Sequence, residues 1–454
     1  MSASALIPAG CVQVHSNEDF AMREYLGLPR SVYVLCIGSL INRAGSFVLI
    51  FLTVYVSEKL GFGQAFAALC MGAFGLGSIF GSLTGGQLAD QFGRKVVMAS
   101  ALLGGAALVA LLAIGDSRPF ILGVMLAYGL VAEMFRPACM AMLSDVTEPS
   151  QRPAAFGLLY ISINLGFAMG PPIGGFLAAQ SYSLLFWGDA VTMAIFGAIV
   201  LLGLSESRGL LEKNTEQPPR DVPVAEAARH ILTDRPFILF CVATFLVNVL
   251  FMQCMVTLPM HIKGAGYSMT ELGWLMSVNG VMIVICQLPL THALERFNPM
   301  ANITIGGVLI VIGFGAYCLP AAVPLLVIAT VFWTVGEMMQ APFKQTVVTN
   351  LAPLELRARY MGAFGMCFSV ALTLGAPLGG YMLAEFGTRA LWGGGACLAA
   401  VGVGLYCVAY RAVSARSAAA VAADDVDGGR EEPSAAVAGD VNPYREPART
   451  AAPE

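Results

Sequence analysis

Apolar residues in this chain come in long runs, separated by short polar breaks. A helix that crosses a bilayer needs about 20 predominantly apolar residues, and twelve runs reach that length. They lie near 31–56, 64–88, 96–115, 119–143, 153–179 and 182–205, then near 236–262, 270–294, 300–319, 324–349, 358–384 and 389–411. The pattern divides the chain into a leading segment 1–30, six runs over 31–205, a linker 206–235, six more runs over 236–411, and a tail 412–454. The linker mixes charges of both signs with Pro218, Pro219 and Pro223, and the tail is rich in Ala, Asp, Glu and Pro without periodicity. Such a composition predicts a disordered tail.

Composition agrees with membrane burial. Of 454 residues, 57% are hydrophobic and 12% charged, against about 25% charged in a soluble domain. The net charge of -4 points to no nucleic-acid partner. Eleven cysteines are scattered singly with no C-x-x-C pair, so neither a zinc site nor a disulfide framework is expected. The four histidines, His15, His230, His261 and His292, are dispersed. Phosphate-loop, Gly-x-Ser-x-Gly and His-Glu-x-x-His patterns are absent from the sequence, so no ATP-driven pump, no enzyme and no cofactor is expected. Residues 1–30 lack the basic start and apolar core of a signal peptide.

Lysine and arginine set the orientation. One group of connections holds Arg23, Arg30, Arg94, Lys95, Arg152, the linker's basic residues, Arg296, Arg357 and Arg359. The other holds Lys59, Arg118, Lys263 and Arg389. The first group is expected in the cytoplasm, with both termini inside.

The two halves repeat. A shift of 205 lays Gly170-Pro171-Pro172-Ile173-Gly174-Gly175 on Gly375-Ala376-Pro377-Leu378-Gly379-Gly380, Asp90-Gln91-Phe92 on Glu295-Arg296-Phe297, and Arg152 on Arg357. A shift of 204 lays Glu133-Met134 on Glu337-Met338. Duplicated bundles place a binding site between them, near the midplane.

Two motifs stand out. Gly86, Asp90, Gly93, Arg94 and Lys95 form a charged knot between the second and third runs. Asp90 sits at a helix C-terminus, where the dipole disfavours an anion, so it needs cations: Arg94 and Lys95 nearby, Arg357 or Arg359 from the eleventh run. Gly157, Gly166, Gly170, Pro171, Gly174 and Gly175 make a smooth face along the fifth run. The first motif resembles the loop between helices 2 and 3 of the major facilitator superfamily, and the second resembles the helix 5 signature of its drug/proton antiporter branch. The resemblance covers about residues 20–411. It implies an all-α membrane protein with twelve transmembrane helices in two pseudo-symmetric six-helix bundles. It also implies that the knot clamps the halves in the outward-facing state. The second copy, Leu294-Glu295-Arg296-Phe297-Asn298-Pro299, lacks Gly-Arg-Lys, which makes the expected gate one-sided.

Charges at mid-membrane are costly, about 2.5–3.5 kcal/mol on insertion scales, and tend to be functional. Here they are Arg43, Glu133, Arg136, Glu337 and Lys344. Glu133 and Arg136 share a helix face, as do Glu337, Gln340 and Lys344. The resemblance implies a cavity lined by helices 1, 4, 7 and 10, to which helix 7 would add Asn248 and Gln253. Alternatively, the charges are ion pairs that only hold helices together. One departure is Met125, which stands where many proton-coupled relatives carry an arginine four residues before a glycine, here Gly129. Asp189 reads as interfacial. The expected function is a monomeric, proton-coupled exporter of amphipathic small molecules in the cytoplasmic membrane. A transporter of a specific metabolite (sugar, organic anion or peptide) and a non-transporting membrane sensor are the alternatives.

Overall fold

The computed structural model describes residues 27–148, 151–207, 223–353 and 356–428. The leading segment to residue 26, most of the linker and the end of the tail lie outside the described residues. Every described secondary-structure element is helical, the solution that lets a chain satisfy its backbone polar groups within lipid.

The first span is α1 (Arg30–Ala44) and α2 (Val48–Val54), extended by a π-helical turn, Tyr55–Lys59. α3 (Gln64–Phe92) and α4 (Arg94–Leu112) are the second and third spans. The fourth is α5 (Arg118–Glu133) followed by α6 (Phe135–Val146). α7 (Arg152–Gln180) and α8 (Tyr182–Gly203) complete the first half. A short helix, α9 (Val224–Thr233), occupies part of the expected linker. The seventh span is α10 (Arg235–Phe251) with α11 (Gln253–Gly264). α12 (Met269–Leu294), α13 (Pro299–Gly315) and α14 (Val323–Leu351) are the eighth to tenth. α15 (Arg357–Gly428) contains the last two spans, joined across a kink at Gly387, where φ is 78°. Eleven segments are long and apolar enough to cross a membrane, and the last, Arg359–Arg416, is 58 residues long and holds two spans across that kink. The expected twelve crossings therefore stand.

Two boundaries differ from expectation. The helix of the last span does not stop at 411 but runs to Gly428. Arg416 anchors it, donating to both Asp234 carboxylate oxygens at 2.8 Å and to the Leu351 carbonyl. The connection between the second and third spans is not a charged loop but Gly93 alone, at φ 102°. Arg94 and Lys95 already belong to α4.

The first, fourth and seventh spans are each interrupted midway, at Gly45–Phe47, Met134 and Met252. Within the first half, span one packs on spans five and six, span two on four, and three on six. The halves meet along two seams, span five against eight and span two against eleven. Both are built from small residues, which let backbones approach closely where lipid supplies no hydrophobic drive between helices. Gly175 abuts Met269 and Thr270, while Gly380 abuts Ala68 and the Gln64 carbonyl. Gly175 and Gly380 are related by the 205-residue shift, and so are Gln64 and Met269, so the duplication visible in sequence generates both seams.

These close approaches, with Gly72 against Pro377, lie toward the end remote from Asp90, and Gly280 against Ala168 lies near mid-span. Near the Asp90 end, an added Cβ on Gly362 or Gly365 of span eleven would meet nothing within 4 Å. At the same end, Gly85 and Gly86 of span two abut span four of their own half, and the described glycines make no close approach between the halves there.

Candidate functional site at the seam of the halves

A cavity of about 200 Å³ lies between the halves. The first half contributes Arg43 and Ile50 from span one and Ile163, Asn164 and Phe167 from span five. The second half contributes Phe251, Cys254 and Met255 from span seven, Met276, Asn279 and Ile283 from span eight, and Trp333 and Glu337 from span ten. The wall is apolar and aromatic, with one basic and one acidic side chain, supplied by opposite halves.

Glu337 is held in place. The buried Asn279 amide donates to its Oε2 at 2.8 Å and also lies 3.2 Å from the Thr334 hydroxyl. Asn279 thereby ties span eight to span ten. Arg43 sits just before the interruption of span one. The fifth-span glycines make room for that interruption. A Cβ on Gly166 would meet Arg43 Cβ at 2.6 Å and the Leu40 carbonyl at 2.7 Å, and one on Gly174 would meet Phe51 and Phe47 at 2.7 and 2.8 Å. A Cβ on Gly170 would meet the Arg43 carbonyl at 2.9 Å. The helix 5 motif thus grips span one on one side. On its other side Gly175 and the Pro171 carbonyl abut span eight of the opposite half. Gly157 is only half-buried.

Several expected cavity residues stand elsewhere. Gln253 bridges the interruption of span seven to span eleven, donating to the Val249 and Gly375 carbonyls at 3.1 and 2.8 Å. Gln340 donates to the Ile303 carbonyl at 2.8 Å, tying span ten to span nine. Asn248 is buried, its Nδ2 without a partner among the described residues. Lys344 is buried and paired with no carboxylate among the described residues; its ammonium lies 5.9 Å from the Tyr406 ring centre. Glu133 and Arg136 flank the interruption of span four, do not pair with each other, and are not among the cavity residues. Of the five midspan charges, Arg43 and Glu337 alone share the cavity.

Asp189 corrects a further expectation. It is not interfacial but 1% exposed, and its Oδ2 accepts the Phe47 and Val48 amides at 3.1 and 3.0 Å. It caps α2 across the bundle, satisfying amides that the interruption would strand.

The Asp90 knot is anchored within its own half. Asp90 pairs with Arg94 at 2.8 Å, and Arg94 Nε lies 3.2 Å from Asp145. Glu206 accepts the Arg94 and Lys95 amides at 2.8 and 3.1 Å, and Ser207 donates to Asp145 at 2.7 Å. Gly86 lies against Pro137 of span four. The expected partners do not reach Asp90: Arg359 donates to the Pro223 carbonyl, and Arg357 Nε is buried without a hydrogen bond among the described residues. Asp145 and Glu206 were the missed partners; each lies far from the knot in sequence.

A twelve-span protein of two duplicated halves, with a charged cavity at their seam, is a membrane transporter by architecture. The Major Facilitator Superfamily model matches residues 35–339 and 254–437, and the chain belongs to that family. A Bacillus subtilis protein described as an uncharacterized MFS-type transporter, YqjV, is 26% identical over 370 residues, covering 81% of this chain and 89% of the relative. A Na(+), Li(+), K(+)/H(+) antiporter of Planococcus maritimus is 25% identical, covering 79% and 90%. The multidrug resistance protein MdtH of Yersinia enterocolitica is 24% identical, covering 77% and 86%. Among solved structures, a peptide transporter POT in complex with sulfate superposes with a TM-score of 0.72 at 16% identity, over 87% of this chain and 99% of that one. That likeness carries the fold alone.

Proposed function

We propose that this protein exports amphipathic small molecules across the cytoplasmic membrane in exchange for protons, by rocking its two halves about the seam cavity. The observation that carries the reading is the cavity itself: an apolar, aromatic wall with Arg43 from one half and Glu337 from the other. An apolar wall suits an amphipathic body, and methionines such as Met255 and Met276 adapt to varied shapes. A midplane carboxylate exchanges a proton for a cationic group. Arg43 on the facing wall supplies the opposing charge. A purely anionic substrate is less well served, because Arg43 is the one basic side chain among the described cavity residues.

The excess of Lys and Arg in the connections at the Asp90 end supports a cytoplasmic side there. The arrangement is then inward-facing, and the Asp90 knot is in its released state. Closure at that end would bring Asp90 toward Arg357 and Arg359. The names of relatives that are antiporters or multidrug resistance proteins support exchange and export.

The test is proton movement by purified protein in liposomes, against a panel of dyes and metabolites. A substrate of this protein should displace protons when added. Folded protein that moves no protons with any member of the panel would overturn the proposal.

A further inference from the structure

The interruption of span one is closed by a group that plays no part in the cavity. Asp189, on span six, is 1% exposed and lends one oxygen to two backbone amides of α2. Its second oxygen, Oδ1, is buried with no hydrogen-bond partner among the described residues. An ionised carboxylate so placed leaves one oxygen desolvated and unpaired, which is costly. A neutral carboxylic acid fits better: its carbonyl oxygen on the Oδ2 side still accepts both amides, and the proton rides on Oδ1. With the cap in place, Oδ1 is enclosed without a partner among the described residues, and only the protonated form leaves no unpaired buried charge there.

The surroundings restrict what else could compensate. Arg43 on span one and Tyr128 on span four lie within electrostatic reach of Asp189, and the Tyr128 hydroxyl donates to the Met193 sulfur of span six at 3.9 Å. Glu133 lies beyond, within reach of that phenol. The membrane-embedded parts of spans three and five, 96–112 and 154–180, contain no charged residue. What Asp189 caps is mechanically placed. α2 is the outer half of span one and packs against α11, the corresponding half of span seven, where the two halves of the protein are sealed. Gly45, at the start of the interruption, is pressed against the Thr192 side chain one turn beyond Asp189.

We propose that Asp189 is a second proton-carrying group, which takes up its proton as the remote end closes and gives it up as α2 moves and that end opens. In this role Asp189 is a positioning residue that couples protonation to the outer gate through the α2 cap, apart from the substrate cavity. The inference deepens the proton-coupled reading and rests on it for its place in the transport cycle, but its conformational prediction needs no substrate.

The experiment uses the full chain with its native cysteines replaced by alanine and spin labels at Lys59→Cys and Ala265→Cys, two exposed positions on opposite halves at the remote end. Their separation is measured by double electron–electron resonance as pH is varied. The expected result is a short separation at low pH that lengthens as pH rises. Asp189→Asn keeps an oxygen for both amides and cannot ionise, so it should stay short across the whole range. Asp189→Glu keeps the titration and should move its midpoint, a second test should the asparagine variant fail to fold. A separation that does not change with pH, or an Asp189→Asn curve that overlays the unsubstituted one, overturns the inference. A pH-driven opening that depends on Asp189, without substrate-driven proton movement, would instead count against the export reading alone.

Discussion

Glu337 is the residue on which the transport reading turns, and Asn279 is what fixes it. A hydrogen bond to a charged group contributes about 1.5–3 kcal/mol, so Asn279→Ala is expected to lower coupled transport by about tenfold or more while leaving the protein folded. Thr334→Val, which removes the hydroxyl that accepts from Asn279 and leaves the Asn279–Glu337 bond, should do less. Initial rates in liposomes check both. Arg43 and Glu337 were legible in the sequence because a charge inside an apolar run is conspicuous. Asn279 was not, since a lone amide in such a run carries no comparable signal. Helical spacing puts Gln340 on the Glu337 face and the family resemblance puts Gln253 in the cavity, but both amides are taken up by neighbouring carbonyls. The role of Asp189 is not legible in the sequence because the amides it caps, those of Phe47 and Val48, lie more than 140 residues away.

At the scale of the element, the fifth span does two things with one set of glycines. It lets span one approach on one side and forms the seam to span eight on the other. Its spacing was plain in the sequence, and its partners were not. Gly166→Leu forces a side chain onto the Arg43 Cβ and the Leu40 carbonyl, 2.6 and 2.7 Å from where a Cβ would stand. Overpacking of this kind costs about 1–3 kcal/mol, so the melting temperature in detergent should fall and transport should be lost. Gly362→Ala, into open space, should be tolerated or slightly stabilising, by up to about 1 kcal/mol from helix propensity. The start of the third span offers a second check. Glu206 caps α4 from the far end of the half, and Glu206→Ala should cost about 1 kcal/mol, read as an earlier thermal transition. The helical run to Gly428 escaped the compositional reading because the contacts that hold Arg416 come from Asp234 and Leu351, distant in sequence.

Across the whole molecule, the duplication was the most informative feature of the sequence. It predicted two halves and a site between them, and the same shift relates the two seams. The conformation was not legible, because apolar periodicity and the 205-residue shift specify helices and their repeat and not how the halves are tilted. In the arrangement described, Asp90 is bound to Arg94 and parted from Arg357 and Arg359. Asp90→Asn should therefore reduce turnover more than substrate binding; equal loss of both would mean that the knot is not a gate. The central claim is that Glu337 exchanges a proton for substrate in the seam cavity. It is tested most directly by comparing Glu337→Gln with unsubstituted protein in liposomes, measuring dye accumulation driven by a pH gradient beside dye exchange at equal pH. The account predicts that the variant keeps exchange and loses gradient-driven accumulation. Accumulation that survives in Glu337→Gln at the unsubstituted rate would contradict it.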